Sequence, residues 1–235
     1  GEALVEADLR VLLMVLFHLT GDRKWIAAPY LPKRDVNLIA DKEAGLPADI
    51  GAEIRNAAAT LLSADQLDIA IDDPGDELMV ELMSRCLGEA VPPEYAPMMR
   101  EEMGLMSRQV GWSDDRPERL PTERPVVIVG AGASGIALGA NLVKLGIPLV
   151  ILEKNDQVGG TWYENIYPGC GVDTPNHAYS FSFGTRNRWS RYFAPRDEIH
   201  DYLVRSADEA GIRPYVDFNT AVTKADWDAG AKCWR

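Results

Sequence analysis

The sequence predicts an α/β fold preceded by an all-helical N-terminal domain, and three observations carry that reading. Apolar residues recur at helical spacing through residues 1–110. Residues 111–125, GWSDDRPERLPTERP, are polar, proline-bearing and without period, as a linker is. Residues 126–153 then read VVIVGAGASGIALGANLVKLGIPLVILE: apolar run, glycine turn, helical pattern, apolar run, acid. The expected domains are 1–110, a helical extension, 111–125, a linker, and 126–235, a Rossmann-like domain incomplete at its C-terminal end.

In the first domain, Leu4, Val5, Leu9, Leu12, Leu13, Leu16 and Leu19 follow helical spacing. Val11–Leu19 is the longest apolar stretch; it is too short to span a bilayer, lacks a basic n-region, and reads as a buried helix. Asp49–Leu62, Asp76–Leu87 and Pro93–Met106 repeat the helical pattern, punctuated by Pro74-Gly75 and Val91-Pro92-Pro93. His18 and the methionines at 98, 99, 103 and 106 read as packing or interface residues rather than ligands.

In the second domain, Val126–Val129 and Pro148–Leu152 read as buried strands. Arg196–Ala210 forms a helix with Asp197 and Glu198 in its first turn, closed by Gly211. Val216–Trp227 alternates like a strand, residues 228–231 turn, and Lys232–Arg235 begin a return strand. A hairpin stopped in its second arm suggests a piece of a longer protein.

Composition narrows the function. Hydrophobic residues at 46% and charged residues at 26% suit a soluble globular chain. The net charge of −12 argues against nucleic acid or an anionic membrane as partner. It is concentrated in residues 1–125, which hold 24 acids and 13 bases; residues 126–235 hold 12 and 11. Cys86, Cys170 and Cys233 form no CxxC pair and no metal cluster with the histidines, so no metal is expected and a reducing cytoplasm fits.

The glycine turn carries the chemistry. Gly130 makes the tight turn, Gly132 lets backbone approach a pyrophosphate, and Gly135 lets the helix pack closely with its positive end toward the phosphates. Glu153, 18 residues past Gly135, can accept both hydroxyls of an adenosine ribose and would repel a 2′-phosphate. FAD or NAD fits this site better than NADP. Gly159 and Gly160 let backbone lie against a ring system, and Trp162 offers it a flat face. Only Cys170 lies in the region where a disulfide oxidoreductase would carry a CxxxxC pair, which excludes that class.

GAGASG, EKNDQVGGTW and YPGCGVDTPNHAYSFSF together resemble the FAD half of a type I Baeyer–Villiger monooxygenase over about residues 125–235. ALVEADLRVLLMVLFHLTGD resembles the N-terminal extension of the 4-hydroxyacetophenone monooxygenase branch. The resemblance implies that Gly130, Gly132, Ser134 and Gly135 hold the FAD pyrophosphate and Glu153 its ribose. It implies that Gly160, Thr161, Trp162 and Tyr163 line the flavin, Tyr179 contacts its side, and the Val222 backbone meets adenine. Asp173 would lie near flavin and nicotinamide and fix a catalytic arginine that stabilises the adduct.

In that family NADPH reduces FAD, oxygen adds, and the peroxyflavin attacks a ketone, giving an ester or lactone. Ketone and oxygen are then the partners, with aryl ketones suggested by the extension and a homodimer through the helical region. The family has arginine where Gly171 stands, and its FxGxxxHxxxW fingerprint, NADPH domain and catalytic arginine would lie beyond Arg235. The piece alone is therefore expected to be inactive. The alternatives are a heteroatom-oxygenating flavin monooxygenase and a non-catalytic flavin-binding or dimerisation module.

Overall fold

The computed structural model describes residues 2–37, 40–64, 69–107, 111–112, 124–183 and 187–235. The chain divides into two compact units, Gly1–Arg108 and Gln109–Arg235. Of the expected linker, residues 113–123 lie outside the described residues.

The first unit is helical: α1 (Glu2–Glu6), α2 (Leu9–Thr20), α3 (Ala48–Leu62), α4 (Gly75–Leu87) and α5 (Ala96–Glu102). Asp8 caps α2 by accepting from the Arg10 amide at 2.7 Å, and Gly21 ends it in the left-handed conformation. Leu9, Leu12, Leu13, Leu16 and Phe17 are buried at the spacing the sequence sets, against Ile54 and Ala58 of α3, Leu82 of α4, Trp25 and Ile26. Arg10 is buried beneath this face, its guanidinium donating to the carbonyls of Asp41 at 2.7 Å and Lys33 at 3.4 Å. That ties the loop after Ile26 to α2. His18 is satisfied through Nδ1 and the Ile71 carbonyl, 3.1 Å apart.

The helix expected over Pro93–Met106 is shorter than its pattern. A single 3₁₀ turn, Pro93–Tyr95, leads into α5, and Gly104 at φ 73° turns the chain after it. Met98 and Met103 are exposed rather than packed.

The second unit holds a parallel sheet of β1 (Val126–Val129), β2 (Leu149–Leu152) and β3 (Val216–Asp217), in that order. Between β1 and β2 runs α6 (Ala133–Leu145); α7 (Thr161–Glu164) and α8 (Arg196–Glu209) follow β2. Register pairs Ile128 with Ile151 and Ile151 with Val216, so the three share a face and enter one core with Ile136 and Leu142 of α6 and Ile199 and Leu203 of α8. This is the Rossmann-like α/β arrangement the sequence predicts.

Two expectations are corrected. Val126–Val129 is a strand but not a buried one: Ile128 is 6% exposed, whereas Val126, Val127 and Val129 are 38%, 55% and 66% exposed. A continuous apolar run implies cover on both faces, and among the described residues β1 is an edge strand with α6 on one face. The strand expected over 216–227 is two short pieces, β3 and β4 (Trp227–Asp228). Between them the chain crosses the end of β2, where the amides of Thr220 and Asn219 donate to the carbonyls of Glu153 (2.8 Å) and Asn155 (3.0 Å). β4 and β5 (Cys233–Trp234) form the expected antiparallel hairpin. Among the described residues no helix is long and apolar enough to cross a membrane.

Candidate dinucleotide-binding site

The turn after β1 is built as its residue types require. Gly130 stands at φ 91°, and its amide donates to the Leu152 carbonyl at 2.8 Å, which lays the turn across the end of β2. Gly132 caps α6, and Ser134 is exposed in its first turn. A Cβ on Gly135 would fall 2.0 Å from the Gly130 carbonyl oxygen, so the helix docks only because position 135 has none. The N-terminal amides of α6 and the positive end of its dipole thus lie at the glycine turn.

Glu153 follows β2 directly and is 3% exposed. Its Oε2 accepts from the Ala131 amide at 2.6 Å and its Oε1 from the Asn155 amide at 2.9 Å. Each oxygen keeps a further lone pair. The carboxylate therefore has two roles: it ties the acid-tipped strand to the glycine turn and leaves a negative group in the cleft. Lys154 beside it is engaged with Glu164 at 2.8 Å, a bond that raises the lysine pKa and lowers the carboxyl's. A cleft of about 260 Å³ is lined by Gly130, Gly132, Glu153, Gly160, Thr220 and Val222. A carboxylate, two bare glycine turns and a helix N-terminus together fit the adenosine diphosphate half of a dinucleotide.

The second glycine turn interlocks with the first. The Gly159 amide donates to the Ala131 carbonyl at 2.9 Å, and a Cβ on Gly160 would fall 2.9 Å from the Gly132 Cα. Thr161 is exposed. Trp162 is 8% exposed and belongs to the core; its indole N–H donates to the Tyr179 hydroxyl at 3.0 Å, the rings meeting edge-on at 5.8 Å. That burial makes it a support for the loop rather than an open platform. The Tyr163 hydroxyl donates to Asp156, which pushes the phenol pKa up.

Asp173 lies outside this cleft. It is exposed, accepts from the Thr174 hydroxyl at 3.4 Å, and forms no salt bridge among the described residues. The adjacent Gly171 pairs with Pro195, and a Cβ there would fall 3.0 Å from the Ala194 carbonyl oxygen, so the loop sits closer to Ala194 than a side chain at 171 comfortably allows. A wider cleft of about 520 Å³ runs past Cys170, Gly171, Arg191 and Arg196.

The sequence reading missed Ala131, Thr220 and the α8 residues Arg196 and His200, which reach the glycine loop. The first two act through backbone atoms, which leave no mark on residue type. Arg196 and His200 stand four apart on one helix face, a spacing readable only once the partner of that face is known.

Residues 128–195 match the NAD(P)-binding Rossmann-like domain family. The chain is 37% identical, over its whole length, to the uncharacterized monooxygenase y4iD of Sinorhizobium fredii, covering 35% of that protein. It is 40% identical to a Baeyer–Villiger monooxygenase of Streptomyces coelicolor over 46% of this chain and 21% of that one. A crystal structure of cyclohexanone monooxygenase with ε-caprolactone is similar at 36% identity and a TM-score of 0.44, over 47% of this chain and 22% of that one. The chain thus spans about a third or less of the length of these relatives.

Proposed function

We propose that this homologue of Baeyer–Villiger and FAD-binding monooxygenases carries the FAD-binding segment of an enzyme that uses NADPH and oxygen to convert ketones, aryl ketones among them, to esters or lactones. The observation that carries the reading is the Glu153 carboxylate, bonded to the Ala131 amide at 2.6 Å at the base of the cleft between the two glycine turns. Bound there, FAD would supply electron transfer from NADPH and the activation of oxygen.

The chain's own residues bind and orient. Gly130, Gly132, Ser134 and Gly135 present the start of α6 to the pyrophosphate. Glu153 accepts from the ribose hydroxyls and repels a 2′-phosphate, so NADPH takes another site. Val222 borders the adenine, Gly160, Thr161 and Tyr163 border the flavin, Tyr179 contacts its side, and the buried Trp162 supports the loop. Asp173, free of a cation among the described residues, is available to a catalytic arginine outside this segment. The domain limits 1–110, 111–125 and 126–235, a homodimer through the helical region and a cytoplasmic setting complete the proposal.

Titration of the chain with FAD, followed by flavin fluorescence, tests the site. Wild type is expected to bind and Glu153→Arg to lose binding; equal affinity in both would remove Glu153 from the site. NADPH oxidation by the full-length protein over a ketone panel, with product identification, tests the reaction. Oxygenated thioethers or amines in place of esters would move the assignment to heteroatom oxygenation.

A further inference from the structure

Two adjacent glycines have little preference of their own for one conformation, so what holds Gly159 (φ 124°) and Gly160 (φ 53°) must come from outside the turn. One hold is the bond from the Gly159 amide to the Ala131 carbonyl, and the side-chain holds lie on α8. The His200 Nε2 stands 3.1 Å from the Val158 carbonyl oxygen, just before the turn. The Arg196 guanidinium, one helical turn earlier, donates to the Tyr163 carbonyl at 2.7 Å, just after it. A Cβ on Gly159 would fall 2.6 Å from the His200 Cδ2, so the imidazole edge is a wall against which the glycine backbone lies. The ring also packs on Tyr163, centroids 5.7 Å apart.

We infer that His200 is a positioning residue for the flavin-binding turn, an inference that rests on the FAD site proposed above. A carbonyl can only accept, so Nε2 carries a proton and donates it to Val158. That bond and the ring wall select one conformation of Gly159 and Gly160. The chosen conformation sets Gly160 against Gly132, and both line the cleft that Glu153 lines. FAD then meets a turn already ordered, and the ordering cost is not drawn from its affinity.

The test uses the 235-residue chain, with His200→Leu, which fills the space without a donor, and His200→Gln, whose amide nitrogen can take the place of Nε2. His200→Leu is expected to speed amide hydrogen exchange at residues 158–163 in the FAD-free chain and to weaken FAD about tenfold, with His200→Gln restoring both to within about threefold. Wild-type affinity in His200→Leu, or weakened affinity without faster exchange in the turn, would overturn the inference. Nitrogen-15 NMR of the unmodified chain provides a check that needs no variant: a neutral ring protonated on Nδ1 would overturn it as well. If wild type itself fails to bind FAD, the proposed site falls, while the exchange and tautomer measurements still decide whether His200 orders the turn.

Discussion

The two units put their apolar residues to different use. In the helical unit, the stripe on α2 is met within the same unit by α3, α4 and the Trp25–Ile26 turn, and Leu9, Leu13, Leu16 and Phe17 are all at 1% exposure or less. In the Rossmann-like unit, β1 is just as apolar, yet only Ile128 of its four residues enters the core. Val127 and Val129 face the other way, on the side opposite α6. Apolar sequence sets where an element forms, but which face it buries depends on which neighbours exist to cover it.

The sharpest way to break that comparison is Phe17→Ala. It removes a fully buried ring from a closed core and is expected to cost about 3–5 kcal/mol, read by chemical denaturation followed by circular dichroism. A loss below about 1 kcal/mol would mean that the α2 face is not closed. Next comes the pair Ile128→Ala and Val129→Ala, neighbours on one strand. The first is expected to cost about 2–4 kcal/mol, and the second, at 66% exposure, less than about 0.5 kcal/mol. Equal costs would mean that Val129 is covered in solution.

Glu153→Gln tests the polar counterpart of these contacts. The carboxylate accepts from two backbone amides, and a glutamine must turn its own NH₂ toward one of them. A loss of about 1–3 kcal/mol in the stability of the FAD-free chain is expected, since one buried amide is left without an acceptor. An unchanged melting curve, together with weakened FAD, would mean that Glu153 serves the ligand alone.

The parts of this molecule legible in the sequence are those fixed by neighbours along the chain. The order strand, glycine turn, helix, strand, acid needs only periodicity and spacing, and β1, α6, β2 and Glu153 stand where it puts them. The α2 stripe was readable for the same reason. What could not be read depends on contacts distant in sequence. The exposure of Val127 and Val129 follows from what lies over a sheet face. The closeness of Gly171 to Ala194, and of Gly159 to His200, comes from loops that meet only after folding. Trp162 read as an open platform because a tryptophan beside two glycines looks the same whether its ring faces out or in.

The smallest expected effect lies in charge rather than packing and again separates a fixed group from a solvated one. Arg100 of α5 reaches both Asp73, at 2.6 Å, and Asp76 of α4, at 2.5 Å. The guanidinium bond and a further one from the Gly75 amide hold the Asp73 carboxyl below its ordinary value of 3.8. A folded-state pKa that is depressed contributes stability above the unfolded value and loses it as pH falls through the folded one. The helical unit should therefore soften progressively as pH drops below about 4, modestly, because the pair is at the surface and salt screens it. Asp73→Asn is expected to flatten that part of the stability–pH curve and to leave the region above pH 6 nearly level, with added salt shrinking the difference. A curve for Asp73→Asn that runs parallel to wild type from pH 3 to 6 would show that the Asp73 carboxylate gives the fold nothing and that Asp76 alone carries the charge tether to Arg100.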